Sequence, residues 1–532
     1  MQTKYIITTG GVLSGLGKGI VSSSIGKILQ CYGFKVNMVK VDPYLNVDAG
    51  TMNPFEHGEV FVLDDGGEVD MDLGNYERFL NLNLERKNNI TTGKVYKAVI
   101  DKERKGDYLG KTVQIIPHVI DEIKNQIKAV SKGTDFVIVE IGGTVGDIES
   151  MPFLEAARQL HREAGPENVL FLHVTLVPEI SVVGEQKTKP TQHSIQRLQE
   201  AGVQPDFILA RSPNKLLKKT KEKISLFCNV DEKYIISDPD VSNLYEVPLV
   251  LQEERIGEKI LKKLGLKKRK NDFKSWKKVV QDMNNAKKTV KIAMAGKYTA
   301  LNDSYVSITE SLKHAAGANN CKVEIKWLEM TDFENDPKKL KVLDDIDGLI
   351  VPGGFGGRGV EGKIAAINYA RKNKIPFLGL CYGFQLASVG FARDAAGLKG
   401  ANSTEVDPKT KHPVIFILPT QYKGIDMGAT MRLGTWPCRL KKGTLAHSIY
   451  NKDRIDERHR HRYEFNPKYV KTLEKAGLVF SGRSPDGEIM EILELPKKEH
   501  PFFIASQFHP EFKSRVEKPA PLFKSFIKAC LG

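Results

Sequence analysis

The chain has 532 residues, of which 27% are charged and 41% hydrophobic, and a formal net charge of +15. This length predicts several soluble domains, each large enough to bury its own core. No apolar run approaches the ~18 residues that a membrane span needs, and the beginning lacks the basic-then-apolar plan of a secretion signal. The basic charge suits polyanionic ligands. The sequence has no aromatic-interleaved basic stripe, RNP signature or zinc finger, so we expect no nucleic-acid partner. We also expect no membrane partner.

The six cysteines form no CxxC pair. That pattern argues against a disulfide framework or a zinc module and is typical of a reducing compartment. We therefore expect a cytoplasmic protein.

Up to about residue 260, short apolar runs alternate with helical patterns. Such alternation predicts an α/β fold, with a mostly parallel sheet and helices on both faces. Ligands of such sheets bind beyond the carboxyl ends of the strands. The predicted strands are Lys4–Thr9, Lys35–Val41, Asp135–Ile141, Val169–Thr175, Asp206–Ala210 and Lys233–Ile236.

The first predicted strand runs into Gly10–Ile20, GGVLSGLGKGI, and a helical pattern follows. Strand, glycine-rich turn and helix N-terminus together favour a phosphate site, with Lys18 as a point charge for the outer phosphates. The loop is not a regular Walker A motif, because Val12 and Gly19 stand where glycine and Ser or Thr are required. A purely structural turn is the alternative; the strand–turn–helix context favours phosphate binding.

Acidic residues follow three segments of this half. Asp42 ends the second predicted strand, Glu140 ends the third, and Asp70 and Asp72 lie in a Gly/Asp-rich stretch. Because Mg²⁺ bridging phosphates takes one or two carboxylates, the sequence predicts a metal–nucleotide site at this edge of the sheet. For any single acid, a helix cap or a surface position is the alternative.

Two lysine-rich clusters, 184–194 and 221–223, are either solvated surfaces or the site of a second anionic ligand. The spacing of their residues does not decide between these two interpretations.

Four stretches read together resemble the CTP synthase family: GGVLSGLGKGI, KVDPYLNVDAGTMNPFEHGEVFVLDDG, EIGGTVGDIES and GEQKTKPTQHS. The resemblance covers the whole first half and implies an amidoligase domain that binds ATP and UTP. In that family ATP phosphorylates O4 of the uracil, and ammonia then displaces the phosphate to give CTP. The family loop usually reads SSLGKG; here Gly15 replaces a serine, at a position that offers mainly backbone.

The resemblance also assigns residues. It implies Mg²⁺ ligands at Asp72 and Glu140 and charge neutralisation by Lys18 and Lys40. It implies ATP binding by Ser14, Gly15, Leu16, Gly17, Lys18, Gly19, Ile20, Lys40, Asp72, Pro239, Asp240 and Val241. It implies binding of UTP, or of CTP as feedback inhibitor, by Ser14, Asp147, Ile148, Glu149, Lys187, Thr188, Lys189, Pro190, Thr191, Gln192 and Lys223.

A lysine-rich stretch separates two runs of strand–helix alternation. We therefore predict an amidoligase domain at 1–266, a linker at 267–289 with a short helix at 273–283, and a second α/β domain at 290–532.

The decisive segment of the second domain is an apolar strand that runs into Gly379-Leu380-Cys381-Tyr382-Gly383. This is a cysteine version of the nucleophile elbow, whose helix N-terminus favours the thiolate. His509 and Glu511 can supply a base and the carboxylate that orients it. The glycine-rich loop 352–359 can donate backbone N–H groups to an oxyanion, together with that of Tyr382. A buried structural cysteine is the alternative that this combination argues against.

In this order the elements resemble class I glutamine amidotransferases. The resemblance implies that Cys381 attacks the side-chain amide of glutamine, that His509 shuttles the proton and that Glu511 orients His509. It implies glutamine binding by Gly354, Tyr382, Gly383, Phe384, Gln385, Glu405 and Arg462. GTP activates the CTP synthase family, and Phe355, Arg358 and Gly359 are candidates for that effect; the family also implies internal transfer of ammonia and a homotetramer.

Two other functions remain open from the residues. A related amidotransferase that acts on another acceptor, such as a cobyrinic acid amidase, would share the elbow and the Gly-Lys loop but not 187–194 or 40–44 as written here. A non-catalytic assembly protein related to partition ATPases would have no reason to keep Cys381, His509 and Glu511 together.

Overall fold

The computed structural model describes residues 2–53, 58–180, 184–296, 302–334, 336–417 and 431–532. Contacts divide the chain into two compact units. The first unit comprises Met1–Ala49 and Asp72–Lys277, and the second comprises Gly50–Met71 and Lys278–Gly532. The sequence prediction kept the stretch Gly50–Met71 in the first domain, whereas its contacts group it with the second unit. Of that stretch, residues 54–57 lie outside the described residues.

The first unit is built on a seven-stranded sheet in which every pairing is parallel. The order across it is β11-β10-β7-β1-β6-β2-β5, with an additional two-stranded ribbon, β8-β9. The strands are β1 Lys4–Gly10, β2 Val36–Asp42, β5 Asn89–Thr91, β6 Phe136–Ile141, β7 Val169–Leu176, β8 Glu179–Ile180, β9 Glu185–Gln186, β10 Phe207–Ser212 and β11 Ile235–Pro239.

All six predicted strands of the first half are present, within three residues of their predicted bounds. Their near-continuous apolar character follows from burial on both faces of a parallel sheet. The edge strand β5 was not predicted, because three residues are too few to show a period. Its helices are α1 Lys18–Cys31, α2 Met71–Leu80, α3 Thr92–Lys105, α4 Ile120–Ala129, α5 Met151–Ala164, α6 Lys189–Glu200, α7 Lys218–Cys228, α8 Val247–Glu253, α9 Ile256–Lys263 and α10 Lys274–Asn285.

The predicted linker packs against the first unit through Trp276. The side chain of Trp276 is buried, its Nε1 donates to the carbonyl of Tyr245 at 3.0 Å, and the ammonium of Lys27 lies 4.8 Å from its ring centre. The helix predicted at 273–283 is present as α10. The lysine-rich stretch 267–289 therefore presents lysines to solvent on one side. On its other side, helix α10 is anchored through Trp276.

The second unit contains a nine-stranded mixed sheet in the order β13-β12-β14-β15-β23-β22-β21-β18-β19. The first five strands pair in parallel, and the remaining pairings are antiparallel. Its strands are β12 Lys288–Gly296, β13 Cys321–Glu329, β14 Gly348–Val351, β15 Phe377–Leu380, β18 Arg432–Leu440, β19 Arg454–His461, β21 Val479–Arg483, β22 Met490–Glu494 and β23 Phe503–Ser506.

Alternation along the parallel strands places a core on each face of this sheet. Ala293 and Ala295 of β12 join one apolar cluster, while Ile292 and Met294 join the other, as the period of two in a strand requires. The helices are α11 Val306–Ala318, α12 Thr331–Glu334, α13 Val360–Lys372, α14 Tyr382–Asp394, α15 Leu445–Tyr450, α16 Val470–Lys475 and α17 Pro521–Cys530. The α/β class predicted for both halves is confirmed.

Two small sheets complete the second unit. One has three strands, β16 Ala401–Ser403, β17 His412–Ile417 and β20 Tyr463–Phe465. The other is a hairpin of β3 Phe61–Val62 and β4 Glu68–Val69, contributed by the stretch that the sequence alone kept in the first domain. Among the described residues, no helix is long and apolar enough to cross a membrane.

Candidate active sites

The glycine-rich loop lies at the switch point of the first sheet. β1 runs between β6 and β7, so the loop that follows it opens between two diverging connections, where open α/β sheets bind ligands. Helix α1 begins at Lys18 after Gly17, whose φ of 88° is a left-handed conformation that favours glycine. The predicted strand–turn–helix arrangement is present.

Lys18 and Lys40 meet two carboxylates beside this loop. The ammonium of Lys40 contacts Asp72 and lies 3.6 Å from Glu140. A side chain at Gly19 would place its Cβ 2.6 Å from Asp72 and 3.6 Å from Glu140. Burial lowers the pKa of Lys18, although Glu140 and Asp72 oppose that shift. The structure therefore brings together the four charged residues that the sequence assigned to the phosphates and the metal.

The carboxylates suit a hard cation that also binds phosphates. Burial raises the pKa of Glu140, partly offset by Lys40, while Lys40 overcomes the burial of Asp72 and lowers its pKa. No group of three or more acidic, histidine or cysteine side chains suited to a metal is found within the described ranges. Two carboxylates are nevertheless the usual protein share of a magnesium ion that bridges phosphates, so this pair fits Mg²⁺ held jointly with a nucleotide.

Asp147 acts on the same site, and it is exposed like Ile148 and Glu149, the two residues that follow it. The carboxylate of Asp147 accepts the N–H of Thr144 at 2.7 Å and acts on the charge of Lys18. Lys18 in turn donates to the carbonyl of Gly143 at 2.6 Å. Ile148 is 85% exposed, and Glu149 is exposed as well.

Residues 239–241, which the resemblance assigned to ATP, are connected to the glycine-rich loop 10–20 through a residue that the sequence did not single out. Arg211, at the end of β10, donates to Asp240 at 2.9 Å, and its guanidinium would lie 3.3 Å from a Cβ at Gly17. Arg211 therefore links 239–241 to the glycine-rich loop. A basic residue that ends a parallel strand was the available signal.

The lysine-rich clusters also come together. Lys187 pairs with Glu185 at 2.7 Å, and Lys223, from α7, acts on the same carboxylate. Thr191 donates to the carbonyl of Leu176 at 2.9 Å, and Gln192 donates to Thr188 at 3.0 Å. Lys189 and Pro190 open helix α6.

A buried chain of hydrogen bonds joins this helix to strand β1, directly before the glycine-rich loop. His173 bonds Thr9 at 2.8 Å through Nδ1 and Ser194 at 2.6 Å through Nε2. Burial and the charge of Lys18 lower the pKa of His173 to about 3, so its imidazole is neutral. No pattern in the sequence singles out His173.

In the second unit, Cys381 stands at a strained turn between β15 and α14. Its φ of 50° and ψ of −95° are unfavourable for a residue with a side chain. Its N–H donates to the carbonyl of Ser506, on the neighbouring strand β23, at 2.7 Å. The pairing of Leu380 with Ser506 brings the carboxyl ends of these strands together, and with them Cys381 and His509.

His509 lies between the thiol and a carboxylate. Its Nδ1 bonds Glu511 at 2.6 Å. Burial alone would lower its pKa, but Glu511 and Cys381 outweigh burial and raise the pKa of His509 to about 10. A Cβ at Gly353 would lie 3.0 Å from the His509 ring and 3.8 Å from Cβ of Cys381. The glycine-rich loop 352–359 thus passes directly beside the side chains of His509 and Cys381.

A cavity of about 470 Å³ opens over the nucleophile. Of the residues assigned to glutamine, Gly354, Gln385, Glu405 and Arg462 line it with Cys381, His509 and Glu511. The Tyr382 hydroxyl donates to the carbonyl of Gly356 at 2.6 Å, and Glu405 accepts the N–H of that glycine at 2.8 Å. Both contacts hold the glycine-rich loop 352–359 against the cavity.

Three assigned residues, Tyr382, Gly383 and Phe384, are not among those lining the cavity. Phe384 belongs to the apolar core, and Gly383 packs so closely on β14 that a Cβ there would lie 2.2 Å from the carbonyl oxygen of Val351. Of the candidates for the GTP effect, Phe355 lines the cavity. Arg358 lies 3.6 Å from Glu329, and Gly359 precedes α13.

Several residues that contact Cys381 or line the cavity were not found from the sequence. Gln507 donates to the thiol of Cys381 at 3.6 Å, and Glu59, Tyr305 and Arg460 line the wall. The signal for Gln507 was its place two residues before His509. Glu59 had no signal, because its partners lie more than 200 residues away along the chain.

An elbow cysteine, a His–Glu pair and a glycine-rich loop around one cavity are the arrangement of a class I glutamine amidotransferase. Residues 300–529 match the model of the family "Glutamine amidotransferase class-I", and residues 4–266 match "CTP synthase N-terminus".

Relatives extend this similarity over the full length. The chain is 59% identical to a CTP synthase of Pyrococcus furiosus over 99% of this chain and 98% of the relative. It is 56% identical to one of Methanococcoides burtonii over 99% and 98%. The solved glutaminase domain of Trypanosoma brucei CTPS with bound acivicin is 37% identical, covers 46% of this chain and 94% of its own, and has a TM-score of 0.43. The chain belongs to the CTP synthase family.

Proposed function

We propose that the chain converts UTP to CTP, using ATP and ammonia that it releases from glutamine. One observation carries the proposal: the Cys381–His509–Glu511 site stands in the same chain as a glycine-rich loop with Lys18, Lys40, Asp72 and Glu140 around it. The identity of 54–59% over the whole length to CTP synthases supports the same reaction.

In the glutaminase half-reaction, Cys381 loses its proton to Nε2 of His509. Within the described part of the chain, that nitrogen is buried without another hydrogen-bond partner. The thiolate attacks the side-chain amide carbon of glutamine, and the backbone N–H groups of Gly354 and Tyr382 stabilise the oxyanion. His509 returns the proton to the departing nitrogen as ammonia leaves. Water then cleaves the thioester to give glutamate and the free thiol.

In the amination half-reaction, O4 of UTP attacks the γ-phosphorus of ATP and ADP leaves. Ammonia then adds to C4 of the pyrimidine, and inorganic phosphate departs. Phosphoryl transfer depends mainly on positioning and on charge neutralisation, which Lys18, Lys40 and the backbone of 14–20 supply. Asp72 and Glu140 would hold Mg²⁺, which offsets phosphate charge when bound. Lys187–Gln192 and Lys223 bind the UTP triphosphate, and Pro239–Val241 lie at the adenine.

Regulation is proposed from the same family. CTP binds as feedback inhibitor through Asp147, Ile148 and Glu149, and GTP activates glutamine hydrolysis through Phe355, Arg358 and Gly359. The active form is a cytoplasmic homotetramer.

The test is direct. Purified protein is incubated with UTP, ATP, Mg²⁺ and glutamine, and cytosine nucleotide is measured by chromatography. We expect CTP, ADP, phosphate and glutamate in equal amounts, with CTP formation dependent on both nucleotides. Glutamate without any CTP would contradict the proposed acceptor and favour an amidotransferase that acts on another substrate.

A further inference from the structure

The hairpin of β3 and β4, residues 61–69, packs within the second unit although the chain on either side of Gly50–Met71 belongs to the first. Phe61, Val62, Leu63 and Val69 are all at most 1% exposed. A two-stranded hairpin is not stable by itself in water. Hairpin 61–69 is therefore held by what it contacts.

Its main contact is Arg458, a fully buried arginine of β19. Nε of Arg458 donates to Asp64 at 2.6 Å, and Nη1 donates to the carbonyls of Val62 at 3.0 Å and Phe512 at 3.2 Å. The carbonyl of Arg458 in turn accepts the backbone N–H of His509 at 2.8 Å. One residue thus joins the hairpin to the backbone at His509.

A second connection runs through aromatic rings. Phe61 meets Phe512 edge-on, with ring centres 5.1 Å apart. Phe512 stacks on the imidazole of His509 at 5.0 Å and an interplanar angle of 20°. Phe512 therefore holds the plane of the imidazole, and Phe61 packs against Phe512.

Asp64 also acts on the segment that carries Glu511. Its carboxylate lies 3.7 Å from the ammonium of Lys513 and accepts the Thr435 hydroxyl at 2.8 Å. Burial alone would raise the pKa of Asp64, but Arg458 and Lys513 lower it, so Asp64 is ionised near neutral pH. Removing the carboxylate from a buried ion pair of this kind is costly, so Asp64→Asn should disturb the position of the Arg458 guanidinium.

We propose that hairpin 61–69 positions His509 for glutamine hydrolysis, through Asp64–Arg458 and through Phe61–Phe512. The inference rests on the proposed role of His509. Phe61 and Asp64 are positioning residues, because they act through Arg458 and Phe512 and touch neither the thiol nor the base. Glutaminase efficiency thus depends on a stretch of chain more than 200 residues before the amidotransferase domain.

The test uses the full-length protein with Asp64→Asn, and with Asp456→Asn as the matched control. Asp456 is on β19 as well, but it is exposed and pairs with Arg454 at 3.2 Å. We expect Asp64→Asn to lower kcat for glutamine hydrolysis roughly 10- to 100-fold, the range that small misplacement of a catalytic group costs. KM for glutamine and CTP formation from added ammonia should stay within about twofold of wild type.

A second readout separates positioning from loss of structure. The rate of Cys381 alkylation by iodoacetamide is measured against pH, since it follows the thiolate that His509 supports. A displaced imidazole should change this profile relative to wild type, and Asp64→Glu, which restores the charge, should bring it back to the wild-type profile. A lower kcat with an unchanged alkylation profile would overturn the proposal.

Phe61→Leu keeps an apolar side chain but removes the supporting ring, and it decides the matter if Asp64→Asn does not fold. Wild-type kcat and profile in that variant would overturn the proposal. The proposed function fails separately, if wild type hydrolyses no glutamine or if Cys381→Ala still does. An active wild type and an inactive Cys381→Ala variant, with unchanged Asp64→Asn and Phe61→Leu variants, would reject the positioning role alone.

Discussion

The imidazole of His509 carries a carboxylate on one nitrogen and serves a thiol with the other. Glu511 keeps the proton on Nδ1 and raises the basicity of the ring. Since burial acts in the opposite direction, the raised pKa of His509 depends on Glu511 together with Cys381. The local pattern His-x-Glu was enough to predict the pair, because two residues at a strand end cannot separate far.

At the scale of single residues, Glu511→Gln tests whether Glu511 raises the pKa of His509. Without the carboxylate, one of the two groups that raise the pKa of His509 is lost, so this pKa falls from about 10. Donation of the proton to departing ammonia requires the imidazolium, so the alkaline limb of the glutaminase profile should move to lower pH. The measurement is kcat/KM for glutamate release between pH 6 and 11, with the exposed Glu499→Gln variant as control. An alkaline limb at the same pH in Glu511→Gln and wild type would contradict the assignment.

At the scale of elements, helix α14 approaches strand β14 very closely at one residue. Gly383 lies so near β14 that a Cβ would be 2.2 Å from a backbone oxygen of Val351. The backbone of β14 cannot move aside as a flexible side chain can. This contact sets the distance between the helix that follows Cys381 and the sheet below it.

Gly383→Ala should therefore destabilise the protein by about 1–3 kcal/mol, the usual cost of overpacking a core. Gly390→Ala in the same helix is the matched control. Its Cβ would lie 3.2 Å from a side-chain atom of Ile364, and the gain in helix propensity of about 1 kcal/mol offsets that contact. Thermal unfolding followed by circular dichroism compares the two. Equal shifts in the unfolding midpoint would contradict the importance of the contact at Gly383.

At the scale of the whole molecule, two reaction centres use different residues and should fail independently. Lys18→Ala removes a buried charge at the glycine-rich loop. It should abolish CTP formation from added ammonia, at least about 100-fold, while basal glutamine hydrolysis persists. Cys381→Ala should do the reverse. Both half-reactions are measured for each variant, as glutamate release and as CTP formation from ammonia. Loss of both activities in a folded variant would contradict the separation.

Mixing the two variants tests whether ammonia stays within one protein. Ammonia released into neutral water is protonated and loses its nucleophilic lone pair. Equimolar Lys18→Ala and Cys381→Ala proteins with glutamine should therefore form CTP far more slowly than wild type, and added ammonia should restore the rate. A mixture as fast as wild type with glutamine alone would show that ammonia travels freely through solvent.

The local chemistry of the chain was determined by the sequence alone. The glycine-rich loop after β1, the elbow at Cys381 and the alternation of strands and helices are patterns of neighbouring residues, and their physics acts over a few turns of chain. Glu140 was found because parallel strands bring their carboxyl ends to one edge, whereas Asp72 came from a Gly/Asp-rich stretch and from the resemblance to the CTP synthase family.

Only the tertiary structure decided the rest. It assigned Gly50–Met71 to the second unit, made half of the second sheet antiparallel, paired Asp64 with Arg458 and brought Arg211 to the glycine-rich loop. Each of these depends on which distant segment buries an apolar face or compensates a charge. Partners hundreds of residues apart leave no periodicity in the sequence between them, because burial and charge pairing depend on distance in space and not along the chain.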